Sequence, residues 1–180
     1  YERHDMRHRL LAISAMLRQN NIQAALEYIG ASQQALDSTT VEHYCSDPAL
    51  DAVLSSYFRQ AEELGIQLET HIDLPSELPM STAELSTVFA NALENMIHAV
   101  QKLPREKRRM VCKCIGFPRL MLEFSNPCEE NVRLGPDGLP VSRDSGHGVG
   151  THSIVAFAEK YQAMWSFQVK NGWFKLQLTL

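Results

Sequence analysis

The segment Ser81–Val100, STAELSTVFANALENMIHAV, decides the fold of this chain. At 100° per residue, Leu85, Val88, Phe89, Ala92, Leu93, Met96 and Ile97 share one side of a helix. Glu84, Thr87, Asn91, Asn95 and His98 share the other. Ser81 followed by Glu84 has the spacing of a capping box, so the helix is predicted to start at Ser81-Thr82 and run to about Leu103. A solvated helix face normally carries Lys and Glu, which favour both helix and solubility. Asparagine is a poor helix former, and two of them one turn apart call for a reason. Amide oxygens suit a hard cation such as Mg2+, which commonly bridges protein to substrate phosphates. An ordinary solvated face with two chance asparagines is the plain alternative.

Downstream, two runs rich in Met, Val, Cys, Ile, Leu and Phe predict strands at about 110–116 and 119–125. Residues 126–150 hold Pro127, Gly135, Pro136, Gly138, Pro140, Gly146, Gly148 and Gly150, the composition of a long mobile loop. Gly146-x-Gly148-x-Gly150 stands before a helix predicted at Thr151–Tyr161. Glycines let backbone N–H groups approach phosphate, and a helix N-terminus adds partial positive charge. No strand immediately precedes the glycines, which argues against a dinucleotide fingerprint. Gly150-Thr151 lacks the lysine of a Walker A loop. A loop without a ligand remains open. Strands at about 164–170 and 173–179 meet at Lys170-Asn171-Gly172, a hairpin turn. With a strand at Ile66–Ile72, residues 65–180 read as an α+β sandwich with helices on one face of a mixed sheet.

Upstream, residues 2–35 read as helical through Leu10, Ile13, Leu17, Ala24, Ala25, Leu26 and Ile29. Asp37-Ser38-Thr39-Thr40 breaks that helix. A second begins at Ser46-Asp47-Pro48, carries Leu50, Val53, Leu54, Tyr57, Phe58, Ala61 and Leu64, and closes at Gly65. Two joined amphipathic helices make a hairpin whose seam is half covered, so residues 1–64 are expected to dimerise into a four-helix bundle. Packing of the hairpin on its own domain is the alternative. His4 and His8 stand one turn apart. A neutral imidazole nitrogen can act as a nucleophile when a neighbouring base orients it, and Asp5 adjoins His4. Arg3, Arg7 and Arg9 would offset charge on an incoming phosphoryl group.

Length and composition bound the remaining possibilities. The chain has 180 residues, 44% hydrophobic and 21% charged, with net charge -4. That balance gives no global case for nucleic acid or an anionic membrane surface. Lys102, Arg105, Lys107, Arg108 and Arg109 form a local basic cluster, read as a solvated loop or a docking patch for an acidic partner. Cys112 and Cys114 sit at alternate strand positions, and a CxC pair lacks the usual structural-zinc spacing. No apolar run approaches the roughly 18 residues of a membrane helix. The chain begins in the character of a helix interior, which suggests an excerpt of a longer protein.

Together RHDMRHRL, SDPALDAVLSSYFRQAEELGI, FANALENMIHAV and GHGVGTHSIVAFAEKY resemble the GHKL ATPase superfamily. The similarity is closer to AgrC-type sensor histidine kinases that answer peptide signals, and it runs over most of the chain. It implies a Bergerat-type ATP-binding domain over 65–180 and a dimerising phosphotransfer hairpin over 1–64. By this resemblance His4 is the phospho-accepting histidine, with Asp5 as the acidic residue that follows it. His8 is the second candidate, because the subfamily commonly has Asn there. Asn91 would hold Mg2+ and Asn95 would contact the nucleotide phosphates. Gly146, Gly148 and Gly150 match the glycine box that closes an ATP lid over about 129–150. Most of the superfamily reads adenine with an Asp-x-Gly box; here Asn126-Pro127-Cys128 stands in that place, and Asn126 becomes the adenine-side residue.

The implied activity is ATP-dependent autophosphorylation of a histidine, followed by transfer to a response regulator in a two-component, quorum-sensing system. The partners implied are a second copy of the chain and the response regulator. The location implied is the cytoplasmic part of a membrane-bound sensor, with the membrane met only through a sensor region outside this chain. Two alternatives stay open: a phosphotransfer or scaffold protein of the same ancestry, and a GHKL ATPase that forms no phosphohistidine.

Overall fold

A helix over Thr82–Gln101 (α4) lies across a five-stranded sheet and organises the larger part of the chain. The computed structural model describes residues 11–18, 21–37, 43–129, 132–141 and 149–180. The chain divides into two units, residues 1–42 and 43–180. In the first, residues 11–18 are helical (α1) and Ile22–Asp37 form α2. The apolar spacing predicts one helix over 2–35, but the structure interrupts it at Asn21. The Asn21 side-chain oxygen accepts the Ala24 N–H at 3.2 Å and caps α2. Asparagine is a favoured N-cap because its oxygen satisfies a first-turn donor that lacks a helical partner. Leu11, Leu17, Ile22 and Leu26 are 52–60% exposed on these helices.

The second unit opens with Pro48–Glu63 (α3). Asp47 caps it by accepting the N–H groups of Ala49 and Leu50 at 3.0 and 2.9 Å. Pro48 occupies the first turn, where a missing N–H costs nothing. At the other end Gly65 takes φ 68. Its N–H bonds to Glu62 O, and the Ile66 N–H to Ala61 O, both at 2.9 Å. This is the Schellman ending that the glycine signalled. Leu50, Leu54, Phe58 and Ala61 are buried against the sheet domain. The boundary expected after residue 64 therefore differs from the observed division: α3 lies inside the unit that holds the sheet, and its stripe is covered there.

The strands are β1 (Gln67–Asp73), β2 (Arg109–Ile115), β3 (Met121–Pro127), β4 (Met164–Lys170) and β5 (Trp173–Thr179). Their order is β1-β2-β3-β5-β4; β1 and β2 are parallel and the other pairings antiparallel. The turn between β4 and β5 has Asn171 at φ 53 and Gly172 at φ 74. Two successive positive φ values are what a two-residue hairpin needs to match strand twist. One sheet face carries Met110, Cys112, Cys114, Leu122, Phe124, Leu176 and Leu178 into a core shared with α3, α4 and Val149–Lys160 (α5). The opposite face is polar, with Lys113 paired to Glu69 and Lys175 to Glu123.

Two local expectations change. Ser81 starts α4 but makes no side-chain cap bond. Its N–H donates instead to the Tyr161 hydroxyl at 3.2 Å. Glu84 takes two bonds from Lys160 at 2.6 and 2.8 Å and one from Tyr161 at 2.5 Å. A carboxylate engaged by an ammonium group makes stronger bonds there than it would with the neutral Ser81 N–H. The basic cluster also has an internal use. Arg108 donates to the carbonyls of Gln101, Leu103 and Leu64 at 3.1, 3.0 and 3.4 Å, which ties down the ends of two helices.

Asp51, buried on α3, fastens the start of the unit. Its carboxylate accepts from Tyr44 N at 2.6 Å and Cys45 N at 3.3 Å, and meets His43 Nδ1 at 2.8 Å. Burial pushes its carboxyl up, but the bonds from His43, Tyr44 and Cys45 outweigh that and hold it below the ordinary value. A depressed folded-state value means that its stabilisation is present above about pH 3.9 and is lost as pH falls through the folded value. Asp51→Ala is expected to lower unfolding stability at pH 7 by about 1–3 kcal/mol in urea titration, and to flatten the acid limb of stability against pH.

Candidate functional site

Two helices and three strands meet around one cavity of about 210 Å³. From α4 come Ala92, Asn95, Met96 and Ala99. Their placement follows from the helix period, because Ala92 and Met96 border the buried stripe while Asn95 borders the polar one. From β3 come Phe124 and Asn126. From α5 come Thr151 and Ile154. Phe167 on β4 and Phe174 and Leu176 on β5 complete the wall.

The polar groups are few and placed at different depths. Asn126 is 1% exposed, and its Nδ2 donates to Pro127 O at 2.8 Å. Asn95 is exposed at the rim. Asn91 is half-buried one turn before it. Gly150 lies in the first turn of α5, and a Cβ built there would stand 3.4 Å from Asn91 Oδ1 and 3.5 Å from Asn91 Cβ. A Cβ would stand there in ordinary van der Waals contact, so the start of α5 packs directly against the asparagine face. A helix N-terminus carries unpaired N–H groups and about half a positive charge, so this corner favours an anion. Apolar walls with a small set of oriented polar groups are the usual makeup of a small-molecule site.

Part of the segment expected to be mobile over 126–150 is ordered. Leu134 and Pro140 form a β-bridge, closed by Gly135 N–H to Leu139 O at 2.7 Å and Val141 N–H to Arg133 O at 3.0 Å. It supplies Val132, Pro140 and Val141 to the cavity wall. Of the residues singled out from sequence, Asn95 and Asn126 line the cavity, and Asn91 and Gly150 stand against each other at the start of α5. His4, Asp5, His8, Gly146 and Gly148 lie outside the described residues. Phe167, Phe174, Thr151 and Cys128 were not singled out. The strand period signals the two aromatics, because the Asn171-Gly172 turn sets β4 against β5 and turns both rings inward.

The chemistry of the wall suits a flat heteroaromatic base with a polar edge, and the start of α5 suits its phosphates. Asn91 fits the way Mg2+ is commonly held, by a protein oxygen plus substrate phosphates. Among the described residues, no group of three or more His, Cys, Asp or Glu could hold a metal by itself.

Residues 80–180 match the family model of the GHKL domain, and the chain belongs to that family. Among solved structures, it resembles the catalytic domain of histidine kinase ThkA in a nucleotide-free form, with TM-score 0.53 and 12% identity over 73% of this chain and 90% of that one. It also resembles the Acinetobacter baumannii histidine kinase AdeS, with TM-score 0.53 and 11% identity over 98% of this chain and 96% of that one. The mycobacterial sensor histidine kinase MprB gives TM-score 0.53 and 14% identity over 73% of this chain and 92% of that one. At these identities the likeness is one of fold. The comparison with curated proteins finds no match.

Cys128 offers a direct probe of the cavity. It is a free, half-buried thiol on the wall, and burial pushes its pKa up. Alkylation by N-ethylmaleimide, followed by peptide mass spectrometry, should be slow at Cys128 and several-fold slower with saturating ATP. Cys45, a free thiol outside the cavity lining, should react at an unchanged rate. Equal rates at Cys128 with and without ATP would place the nucleotide elsewhere.

Proposed function

We propose that this chain is the catalytic core of a sensor histidine kinase of the AgrC-like, peptide-sensing kind, which phosphorylates His4 from ATP and passes the phosphoryl group to a response regulator. The observation that carries this reading is that Asn95 and Asn126 line one cavity together with Thr151 of α5, while Gly150 at the start of α5 packs against Asn91. The cavity takes the adenine, with Asn126 on its amine edge. Asn95 and the first turn of α5 take the phosphates. Asn91 holds Mg2+, which offsets phosphate charge when bound. Gly146, Gly148 and Gly150 are the glycine box that closes the ATP lid over about 129–150.

His4 attacks the γ-phosphorus in line. A nitrogen–phosphorus bond forms while the bond to the β,γ-bridging oxygen breaks, and ADP leaves with that electron pair. Asp5 orients the ring and takes its proton. Catalysis of this kind rests on positioning and charge rather than on covalent help from other side chains. His8 is the second candidate for the nucleophile.

The N-terminal region dimerises. More than half of each of Leu11, Leu17, Ile22 and Leu26 is exposed in one copy, which supports a partner for α1 and α2. No helix among the described residues is long and apolar enough to cross a membrane. In this reading the chain works in the cytoplasm, attached to a membrane-bound sensor region, and the response regulator docks on the helical region. A change in helix geometry on signalling would alter the reach of His4 to ATP.

The test is incubation with γ-labelled ATP and Mg2+. Acid-labile label should appear in the wild type and vanish in His4→Gln. Asn91→Ala should lower the labelling rate on the order of 10²-fold with the fold intact. Loss of label in His8→Gln alone would move the nucleophile by one turn. Hydrolysis without any protein-bound label would favour an ATPase that makes no phosphohistidine, and binding of neither would favour the scaffold.

A further inference from the structure

The sheet ends in two outer strands, β1 and β4, and their edges are built differently. β1 carries Glu69, His71 and Asp73, and Glu69 is paired with Lys113 of β2. Ionisable side chains of this kind discourage a further strand from joining an edge. β4, Met164–Lys170 with the sequence MWSFQVK, has no proline and no charge before Lys170. Its register with β5 is unbroken, so no bulge turns the edge away. Met164 is 64% exposed and Val169 36%, so apolar side chains stand open along it.

The turn at Asn171-Gly172 fixes which backbone groups of β4 are turned outward. A two-residue turn of this kind bonds its flanking residues, here Lys170 and Trp173, to each other. Antiparallel strands alternate bonded and non-bonded pairs. Lys170, Gln168, Ser166 and Met164 therefore bond to β5, and the N–H and C=O groups of Trp165, Phe167 and Val169 point away from it. Phe167 is the middle residue of the strand. A two-fold axis through it sets a second β4 antiparallel to the first. Phe167 then faces the partner's Phe167, and Trp165 faces the partner's Val169. Every outward N–H meets an outward C=O, because the axis maps these three residues onto one another. An axis through Ser166 or Gln168 would leave Val169 or Trp165 without a partner inside the strand. Lys170 falls opposite the partner's Met164, so no like charges meet. Trp165 shares the helix-facing side with Phe167, their rings 5.7 Å apart, and its pairing with the partner's Val169 is of the aromatic and β-branched kind that stabilises neighbouring strands.

We infer that the open edge of β4 is a docking surface for the β4 of a second copy of this chain, joining two five-stranded sheets into one across a two-fold axis at Phe167. The surface lies within residues 43–180, apart from the helices α1 and α2 on which the N-terminal pairing is proposed. A strand of another protein would find the same row of donors and acceptors. The mutual fit of all three outward residues is a property of β4 with itself.

The experiment is disulfide trapping in the full chain. Copies carrying Ser166→Cys and copies carrying Gln168→Cys, each with its own tag, are co-expressed, purified together and oxidised with copper phenanthroline. Linked peptides are mapped by mass spectrometry, so that links through the native cysteines are counted apart. Ser166 and the partner's Gln168 form a non-hydrogen-bonded pair, with Cα atoms about 4.5 Å apart, a separation that a disulfide spans. Either variant alone sets its two thiols on the diagonal, about 7–8 Å apart, at the limit of a disulfide. The mixture should therefore link positions 166 and 168 several-fold faster than either variant links to itself. Val169→Pro removes an N–H that β5 does not use; it should leave thermal melting nearly unchanged and abolish the link. Equal linking in the mixture and in the single variants, which pairing through α1 and α2 alone predicts, would overturn the inference. A link that survives Val169→Pro would also overturn it. If Val169→Pro does not fold, the comparison of the mixture with the single variants still decides.

Discussion

The burial of one side of α4 is the interaction on which the rest depends. Leu85, Val88, Phe89, Ala92, Leu93, Met96, Ile97 and Val100 are all within 3% of complete burial. Phe89 meets Phe124 of β3 edge to face, with ring centroids 5.3 Å apart. Each of the larger side chains contributes about 1.5–3 kcal/mol by leaving water. A turn of α4 by one residue would rotate the helix by about 100° and bury Asn91 and Asn95 in place of Ala92 and Met96. The hydrophobic stripe therefore fixes where Asn91 and Asn95 point. The core sets the aim of the polar face, and the site inherits it.

The second support is α5, which is held against α4 at both ends. At its start, Gly150 lies against Asn91. At its end, Lys160 and Tyr161 engage Glu84 in the first turn of α4, and the Tyr161 ring packs on buried Phe157 at 4.8 Å. An exposed ion pair alone contributes little. Here the shared hydroxyl and the Ser81 N–H make it a network, and its effect is to fix the register of α5 along α4. That register decides where the N–H groups of the first turn of α5 stand relative to the asparagines.

Much of this was legible in the sequence, for a physical reason: the signals were local. The stripe of α4 follows from spacing, the β4–β5 hairpin from Asn171-Gly172, and the two ends of α3 from Asp47-Pro48 and Gly65. What the sequence hid was set by partners far along the chain. Glu84 looks like half of a capping box until Lys160 and Tyr161 are placed beside it. Arg108 looks like part of a solvated basic run until three helix-end carbonyls converge on it. The stripe of α3 has no visible cover in the sequence, and α4 and the sheet supply it in the fold. At Asn21 the failure was of another kind: a local cap signal was present, but the continuous apolar spacing on either side masked it. In the site, the asparagines and Gly150 were visible as residue types, whereas the aromatic wall required the strand register, and the bond from Asn126 to Pro127 O required coordinates.

The central claim is that the space between α4, α5 and the helix-facing side of the sheet holds the base of ATP. Photolabelling with 8-azido-ATP, followed by peptide mapping, tests it most directly. The account predicts crosslinks within the wall formed by Met96, Phe124, Phe167 and Phe174, competed away by ATP. Competed label on the polar outer face of the sheet, around Lys113, Glu123 and Gln177, with the wall unlabelled, would contradict it.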